Sequence, residues 1–454
     1  MKLSKDKTVL TISFVLFLII NAYLVVIHEP WRDEIHAWLI TKEMSIPEMI
    51  LFSRYEAHPI LWNLIIYPFA KSGASPYWMH VISYLLVAVS AWLFLFKTGI
   101  NKIVKVMTLF TIPFVYTYSS IARDYCLILF FGMIICVMYK NRYERPVLYS
   151  LMVSLLVFTH AMAWGFVAGI TITFNIYEII LKLFGKSKVS KKQFLGIVAG
   201  FVLIMLSSIF VIVTLYGERS TVLSVFQDTY TNNVIISLIV LILLSLVLLL
   251  FCKGAIWKEC VILGTAYLFM ILVYKTVYSY VFFQRLMLIP MCILFFMIMV
   301  LEDHAGIASK LKKYFYILFI VSMLMNMCIV ELVLSVIKDV RYNYSSAQEM
   351  AEYINENLPE EDLLLVDMGI YAQTIVPYTD KTLYDIRYKA NIVDSLYHVF
   401  DEDEVLACIQ DIPNHDEYKG KYLISIYAIR GNKEIYVTSD SITGETFYLY
   451  YLQE

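Results

Sequence analysis

The sequence of 454 residues is 60% hydrophobic and only 16% charged, whereas soluble domains are about one quarter charged. This composition excludes an ordinary soluble protein and predicts a protein embedded in a membrane. The net charge of -2 and the pI of about 6.5 give no basic surface of the kind that nucleic acid requires, so no nucleic-acid partner is expected. The seven cysteines have no C-x-x-C spacing, which indicates small buried side chains and no disulfide framework.

Apolar runs long enough to cross the roughly 30 Å hydrocarbon layer recur along residues 1–338. The first run follows Lys2, Lys5 and Lys7, and no small-residue cleavage site comes after it, so we interpret it as an uncleaved span. About eleven spans are predicted, at 9–27, 77–96, 103–119, 121–139, 147–159, 161–183, 194–216, 234–251, 260–280, 286–301 and 314–337.

The positive charges predict the orientation of these spans. Lysines and arginines concentrate in alternate loops, at 97–105, 140–145, 182–192, 253–258 and 310–313. Cytoplasmic loops carry such an excess. We therefore expect a multi-pass protein with a cytoplasmic N-terminus and an extracytoplasmic C-terminus.

The composition changes at about residue 339, beyond which the chain is charged, rich in tyrosine and free of membrane-length apolar runs. Alternation and short apolar runs predict strands at 363–367, 382–385 and 422–427, helices at 347–358 and 392–400, and a hairpin of 433–437 with 446–452. The sequence thus predicts two parts: a transmembrane domain, 1–338, and a small extracytoplasmic α/β domain, 339–454.

The first outer loop, 28–76, holds an unusual density of acids and histidines between two apolar spans. Pro30 suits a helix start, and a helix over 33–42 lying along the interface would place Asp33 and His36 on one face and Glu34 on the next. A second interfacial helix is predicted over 60–70. A compact polar loop between membrane helices indicates chemistry on a membrane-borne substrate.

The second half of this loop places Glu56 and His58 just before Pro59, which favours an extended residue 58 and can open the helix that follows. Asp33, His36, Glu56 and His58 are all legitimate ligands for a divalent cation, although their spacing matches no known metal motif. A bound cation and a merely solvated loop both stay open from the residues alone.

Further ionisable residues stand at the predicted outer ends of spans. Arg123 and Tyr125 begin the fourth span, and Arg285 begins the tenth, shortly after Lys275. Cations there can bind a lipid phosphate, or they can extend toward lipid headgroups without further function. His160 lies at an outer turn between two spans, where it can face the same cavity or serve the structure.

Five pieces of the sequence together resemble a known family: W-R-D-E-I-H-A-W at 31–38, Y-E-A-H-P-I-L-W at 55–62, R-D-Y at 123–125, T-H at 159–160 and Q-R-L-M-L-I-P at 284–290. They are similar to bacterial membrane glycosyltransferases of the GT-C class, whose members include protein O-mannosyltransferases and the aminoarabinose transferases that modify lipid A. The resemblance covers 9–337. The chain departs from the family's K-P-P-L or H-P-P-L at Ile60.

The resemblance implies a sugar donor carried on polyprenyl phosphate or diphosphate, and an acid of the first outer loop as catalytic base or metal-associated acid. Asp33 is then the main catalytic candidate, with Glu34 as its neighbour. It also implies the plasma membrane, contact with membrane lipid, and an envelope glycan, glycolipid or protein as acceptor. The alternatives are a transporter of lipid or polysaccharide and a non-catalytic envelope-assembly protein. One shared outer cavity for the candidate residues would favour the enzyme.

Overall fold

The computed structural model describes residues 5–56, 58–215, 229–251, 254–276, 283–326, 328–359, 363–367, 372–392, 415–429, 432–439 and 445–453. The protein is mostly helical, with a small sheet near its C-terminus. Within the described residues, the helices long and apolar enough to cross a membrane are Lys5–Ile27, Trp78–Lys97, Ala161–Leu183, Lys191–Leu215 and Trp257–Lys275. These helices are those of a membrane protein, as the composition predicts.

The α-helices in chain order are α1 (Lys5–Ile27), α2 (Arg32–Glu43), α3 (Ile46–Glu56), α4 (Leu61–Lys71), α5 (Trp78–Lys97), α6 (Lys102–Leu109), α7 (Tyr125–Met138), α8 (Pro146–Val157), α9 (Trp164–Ile170), α10 (Tyr177–Leu183), α11 (Lys191–Leu215), α12 (Thr229–Phe251), α13 (Trp257–Thr276), α14 (Phe283–Leu286), α15 (Leu288–Asp303), α16 (Ala305–Met325), α17 (Val330–Arg341) and α18 (Ala347–Asn357). At the centre, α15 is buried along its length from Leu288 to Leu301. A helix that is apolar on all sides belongs in such a core.

Fewer helices in the described part meet the length and composition of a span than the eleven predicted from apolar runs. The run at 103–119 is interrupted: α6 ends at Leu109, and Pro113, which lacks a backbone N–H, begins a π-helical turn, Pro113–Thr117. The run at 314–337 bends by 44° between Lys312–Met325 and Val330–Arg341, and this pair gives a sixth span if it is counted as one. The count of eleven stays a prediction.

The sheet near the C-terminus contains β1 (Leu364–Val366), β2 (Leu383–Asp385), β3 (Ala390–Asn391), β4 (Tyr422–Ser425), β5 (Lys433–Ser439) and β6 (Thr446–Tyr451). Its strand order is β3-β2-β1-β4-β6-β5, and β1 runs parallel to both β2 and β4. The hairpin of β5 with β6 and the predicted helix, now α18, are confirmed. Of the helix predicted at 392–400, only residue 392 belongs to the described residues, and the rest lies outside them.

The sheet region contacts the first loop directly. Its 3-10 helical turn, Gln373–Tyr378, packs against α2, and Gln373 contacts His36. The segment after α17 contributes Ser345, whose backbone N–H donates to Glu29 at 3.2 Å. The C-terminal part of the chain therefore covers the loop that carries the predicted site.

Candidate functional site

Asp33 stands in the first turn of α2, beside an arginine that comes from the start of α7. Arg123 Nη1 donates a hydrogen bond to the Asp33 backbone carbonyl at 2.7 Å and lies 3.6 Å from Asp33 Oδ2. Arg32 Nε donates to the other carboxylate oxygen at 3.3 Å. The Asp33 side chain is 27% exposed, so a substrate can still reach its carboxylate.

His36 lies one turn further along α2, as the i, i+3 spacing predicts. Its Nε2 donates to Glu56 Oε1 at 2.6 Å, and its Nδ1 is 2.9 Å from Gln373 Oε1. Burial lowers the pKa of His36, but the charge and hydrogen bond of Glu56 outweigh this, so the net pKa is raised. Burial raises the pKa of Glu56, and His36 reverses that effect, giving a pKa of about 2. Each side chain thus stabilises the charged form of the other.

His58, Asp124 and His160 form the inner part of the cluster, with one side-chain atom of each within 4.8 Å of the others. The Asp124 side chain is buried, and neither of its carboxylate oxygens accepts a hydrogen bond from the described residues. Burial raises the pKa of Asp124, against the opposing charges of His58, Arg123 and Arg285. His58 Nδ1 is fixed by donating to the Glu56 carbonyl at 2.6 Å.

The proton on His160 decides whether this inner group suits a cation or an anion. The Met162 backbone N–H donates to His160 Nδ1 at 3.0 Å, so a neutral ring carries its proton on Nε2. Burial, together with His58, Arg285 and Arg123, lowers the pKa of His160 well below its usual value, so the ring is neutral. A protonated Nε2 has no lone pair for a metal but can donate to an anion, so the geometry favours an anion here.

Arg285 belongs to the same group, since it is one of the charges that act on both Asp124 and His160. Its Nε lies 3.2 Å from the Tyr125 hydroxyl, and the Tyr125 ring lies 4.9 Å from the His160 ring. The arginine is buried, so extension toward lipid headgroups does not explain it. Lys275, by contrast, is exposed and has no hydrogen bond or ion pair with any residue in the described ranges.

Glu34, predicted as the neighbour of the catalytic acid, belongs to a different cluster. Its fully buried carboxylate accepts hydrogen bonds from the backbone N–H groups of Trp31 and Ala122 and contacts His80. These contacts fix the first turn of α2 against the residues before α7 and the first turn of α5, which indicates a structural role for Glu34. A catalytic role for Glu34 would require a substrate to reach a side chain that has no exposed surface.

One small cavity lies between the outer and inner parts of the cluster, and Glu56, His58, Arg123 and Asp124 line it. Of the predicted site residues, Glu56, His58 and Arg123 line this cavity. Pairwise contacts link the others to them, namely Asp33, His36, Tyr125, His160 and Arg285, whereas Glu34 and Lys275 lie apart. Sequence reasoning missed Asp124 and Gln373 as members of the site. The R-D-Y piece at 123–125 was a signal for Asp124, whereas nothing in the sequence singled out Gln373.

Comparison of the chain with protein-family models finds no matching family, and comparison with curated proteins finds no match. The fold and the site themselves define a helical membrane protein with an arginine- and histidine-rich polar cluster. This cluster lies where α1 leads into the first loop, α7 begins and α8 ends.

Proposed function

We propose that this protein is an inverting glycosyltransferase that moves a sugar from a polyprenyl-phosphate-linked donor to a cell-envelope acceptor at the outer face of the plasma membrane. The observation that carries the proposal is the convergence of Asp33, Arg123 and Arg285 on one polar cluster. A partly exposed carboxylate, a partly buried guanidinium (Arg123) and a buried one (Arg285) are what this chemistry needs: a base for the acceptor and cations for the leaving phosphate.

The two arginines and His160 are suited to the donor phosphate. Arginine presents a planar set of N–H donors that matches phosphate oxygens, and hydrogen bonds to charged groups are the strong ones. His160 adds a neutral Nε2–H donor, because its Nδ1 already accepts the Met162 N–H. Asp124 lies among these groups and balances their charge when no phosphate is bound.

In the proposed step, the acceptor hydroxyl attacks the anomeric carbon while the bond from that carbon to the phosphate oxygen breaks. Asp33 takes the hydroxyl proton, and polyprenyl phosphate or diphosphate leaves with the electron pair of the broken bond. The leaving group is already an anion of low basicity, so no protein acid has to protonate it. Direct displacement inverts the configuration at the anomeric carbon.

An apolar cavity close to the cluster is suited to the donor's hydrocarbon chain. It has a volume of about 300 Å³ and is lined by residues that include Val157, Trp164, Ile204 and Phe269. Val157 ends α8 three residues before His160, so the cavity begins close to the phosphate-binding groups. A prenyl chain in this cavity would leave its phosphate beside His160.

The test is a comparison of membrane glycans and lipid-linked sugars in cells with the parent protein, without it, and with Asp33→Asn alone. The proposal expects loss of a glycan and accumulation of its lipid-linked sugar donor in the second and third cases. Glu43→Gln, an exposed acid on the same helix, is the matched control and should behave as the parent.

The alternative functions give different outcomes in the same comparison. If the protein were a lipid transporter, cells without it would keep the donor in the inner leaflet, where an impermeant reagent cannot reach it in intact cells. A non-catalytic assembly protein would tolerate Asp33→Asn. Unchanged glycans and unchanged lipid-linked sugars in cells without the protein would contradict the proposal.

A further inference from the structure

A second polar cluster lies beneath the first loop and takes no part in the proposed reaction. It contains His28, just after α1, Glu34 on α2, and His80 in the first turn of α5. All three side chains are fully buried, and one potential ligand atom of each lies within 4.8 Å of the others. Burying two imidazoles and a carboxylate away from water is costly unless each is fully paired.

Pairing in this cluster is incomplete. His80 Nδ1 and Nε2 have no hydrogen-bond partner in the described residues, although Nε2 lies 3.2 Å from Glu34 Oε1. His28 Nε2 also lacks a hydrogen bond and lies 3.8 Å from Glu34 Oε2. Nitrogen atoms of two buried histidines thus face one carboxylate with their hydrogen-bonding capacity unused.

The orientation of His28 favours a metal ligand. Its Nδ1 lies 3.0 Å from Asp339 Oδ2, and because a carboxylate only accepts, this ring nitrogen is the donor. The neutral ring then has its lone pair on Nε2, the atom that faces Glu34. Metal-binding histidines are commonly held in this way, by a carboxylate on the far ring nitrogen.

Glu34 is fixed in a suitable position as well. The backbone N–H groups of Trp31 and Ala122 each donate to one of its oxygens, which leaves a further lone pair on each oxygen for a cation. Two ligands of one tetrahedral zinc ion are about 3.3–3.4 Å apart, given bonds of about 2.0–2.1 Å. The separation of 3.2 Å between His80 Nε2 and Glu34 Oε1 lies close to this value, and His28 offers its ligand atom within 4.8 Å of the other two.

We propose that His28, Glu34 and His80 bind one divalent transition-metal ion of the zinc class, with Asp339 as the residue that positions His28. Two imidazoles and a carboxylate are a donor set that suits zinc, and a fourth coordination position is left for water. The ion would join the end of α1, the start of α2 and the start of α5. Through Asp339 it would also join α17, which leads into the sheet region.

The other two groups of potential ligands in the described residues are less suitable. His160 carries its neutral-state proton on Nε2, as described above. In the third group, Glu259, Asp303 and His304, the Asp303 side chain is already paired with Arg142 at 2.8 Å. Of these three groups, the cluster around Glu34 is the one in which all side chains are fully buried and a hydrogen bond at His28 Nδ1 directs the lone pair of Nε2 toward the other ligands.

The experiment measures metal content in the full-length protein purified in detergent without chelators, using elemental analysis by mass spectrometry. The proposal expects about one equivalent of transition metal per chain in the parent and loss of that equivalent in His80→Ala. Asp339→Ala should weaken zinc binding about ten- to a hundred-fold, as such supporting carboxylates do elsewhere. His160→Ala, a buried histidine of the other cluster, is the matched control and should keep the metal.

If a variant fails to fold, metal binding by the parent protein still tests the proposal. Metal-free parent protein should take up Co²⁺ and show the visible absorption of a tetrahedral site with nitrogen and oxygen ligands, and Zn²⁺ should displace the Co²⁺. Parent protein that neither retains a metal nor binds Co²⁺ or Zn²⁺ would overturn the proposal. So would metal lost from His160→Ala and kept in a folded His80→Ala. Metal content does not depend on sugar transfer, so this result is independent of the proposed function.

Discussion

Asp33 and Glu34 are neighbours in sequence but belong to two different polar clusters. The first cluster, around Asp33, keeps a partly exposed carboxylate and a buried carboxylate, Asp124, with unused acceptors. The second cluster, around Glu34, has no exposed surface, and each Glu34 carboxylate oxygen accepts a hydrogen bond from a backbone N–H group. Successive residues of an α-helix point about 100° apart, which is enough to separate them.

This difference shows how a short helix can serve two purposes. One face of α2 presents Asp33 and His36 to Arg123 and Glu56, and the next face ties the same helix to α5 through Glu34 and His80. We infer that the closed cluster holds the open one in place. Changes in the two clusters should therefore differ in their main effect, which is on activity for the first cluster and on stability for the second.

The largest effect is expected for Asp33→Asn, which removes a base and keeps the shape of the side chain. Transfer by the purified protein should fall by about 10²–10⁴-fold, the usual contribution of general base catalysis. The melting temperature should match that of the parent. Transfer within a few-fold of the parent rate would exclude Asp33 as the base and make Glu56, which is partly exposed, the next residue to test.

Glu34→Gln should show the opposite pattern, because it removes the charge from the closed cluster. Removing the partner of buried hydrogen-bonding groups costs about 1–3 kcal/mol, and more where a charge is involved, so we expect a large fall in the free energy of unfolding. Thermal unfolding in detergent measures this, with Glu43→Gln as control. An unchanged melting temperature together with lost transfer would reverse the roles assigned to the two acids.

Arg285→Ala should weaken use of the donor about ten- to a hundred-fold, since a hydrogen bond to a charged group is worth about 1.5–3 kcal/mol. Arg285→Lys should recover only part of this, because lysine cannot hold a phosphate bidentately. Binding of a polyprenyl phosphate to the purified variants measures the effect, and Lys71→Ala, at an exposed cation of the first outer loop, is the control. Donor binding equal to that of the parent in Arg285→Ala would leave the arginine with a structural role only.

The smallest effect concerns pH and the His36–Glu56 pair. Because the pKa of His36 is raised, its protonation contributes to the free energy of unfolding. This contribution is fully present below about pH 6.5 and is lost as the pH rises through the folded-state pKa. Because the pKa of Glu56 is lowered, its ionised form makes a second contribution to the free energy of unfolding. This contribution is fully present above about pH 4.5 and is lost as the pH falls toward 2. We expect about 1 kcal/mol between these limits, since both side chains keep some exposure.

Melting curves of the parent and Glu56→Gln across this pH range measure that contribution. The stability difference between the two proteins should be greatest between about pH 4.5 and 6.5 and should shrink on either side. A difference that is constant with pH would show that the contact contributes through its shape rather than its charge.

The sequence predicted local features of the fold well. Periodicity and Pro30 gave α2 within one residue at each end, and short apolar runs gave β1, β2 and β4. The break in the run at 103–119 was missed, because hydropathy measures the apolar character of a segment and not whether its helix is continuous.

The site was predicted only in part, for a physical reason. Asp33, His36 and Glu56 could be grouped because they share one loop, and Arg123 and Arg285 because ionisable residues at or within membrane spans are candidates for function. The separation of Glu34 from Asp33 depends on the rotation of α2 relative to its neighbours, which tertiary packing sets. Gln373 contacts His36 across 337 positions, and no local pattern carries that information.

The contact between His36 and Gln373 has a consequence for biosynthesis. A chain made from its N-terminus exposes the first loop early, but the partner of His36 Nδ1 is synthesised only after α17 has been made. Until then the histidine that holds Glu56 lacks one of its two restraints. The proposed site therefore reaches its final geometry only after Gln373 has been made, and shorter chains in the membrane would carry Asp33, His36 and Glu56 without this restraint.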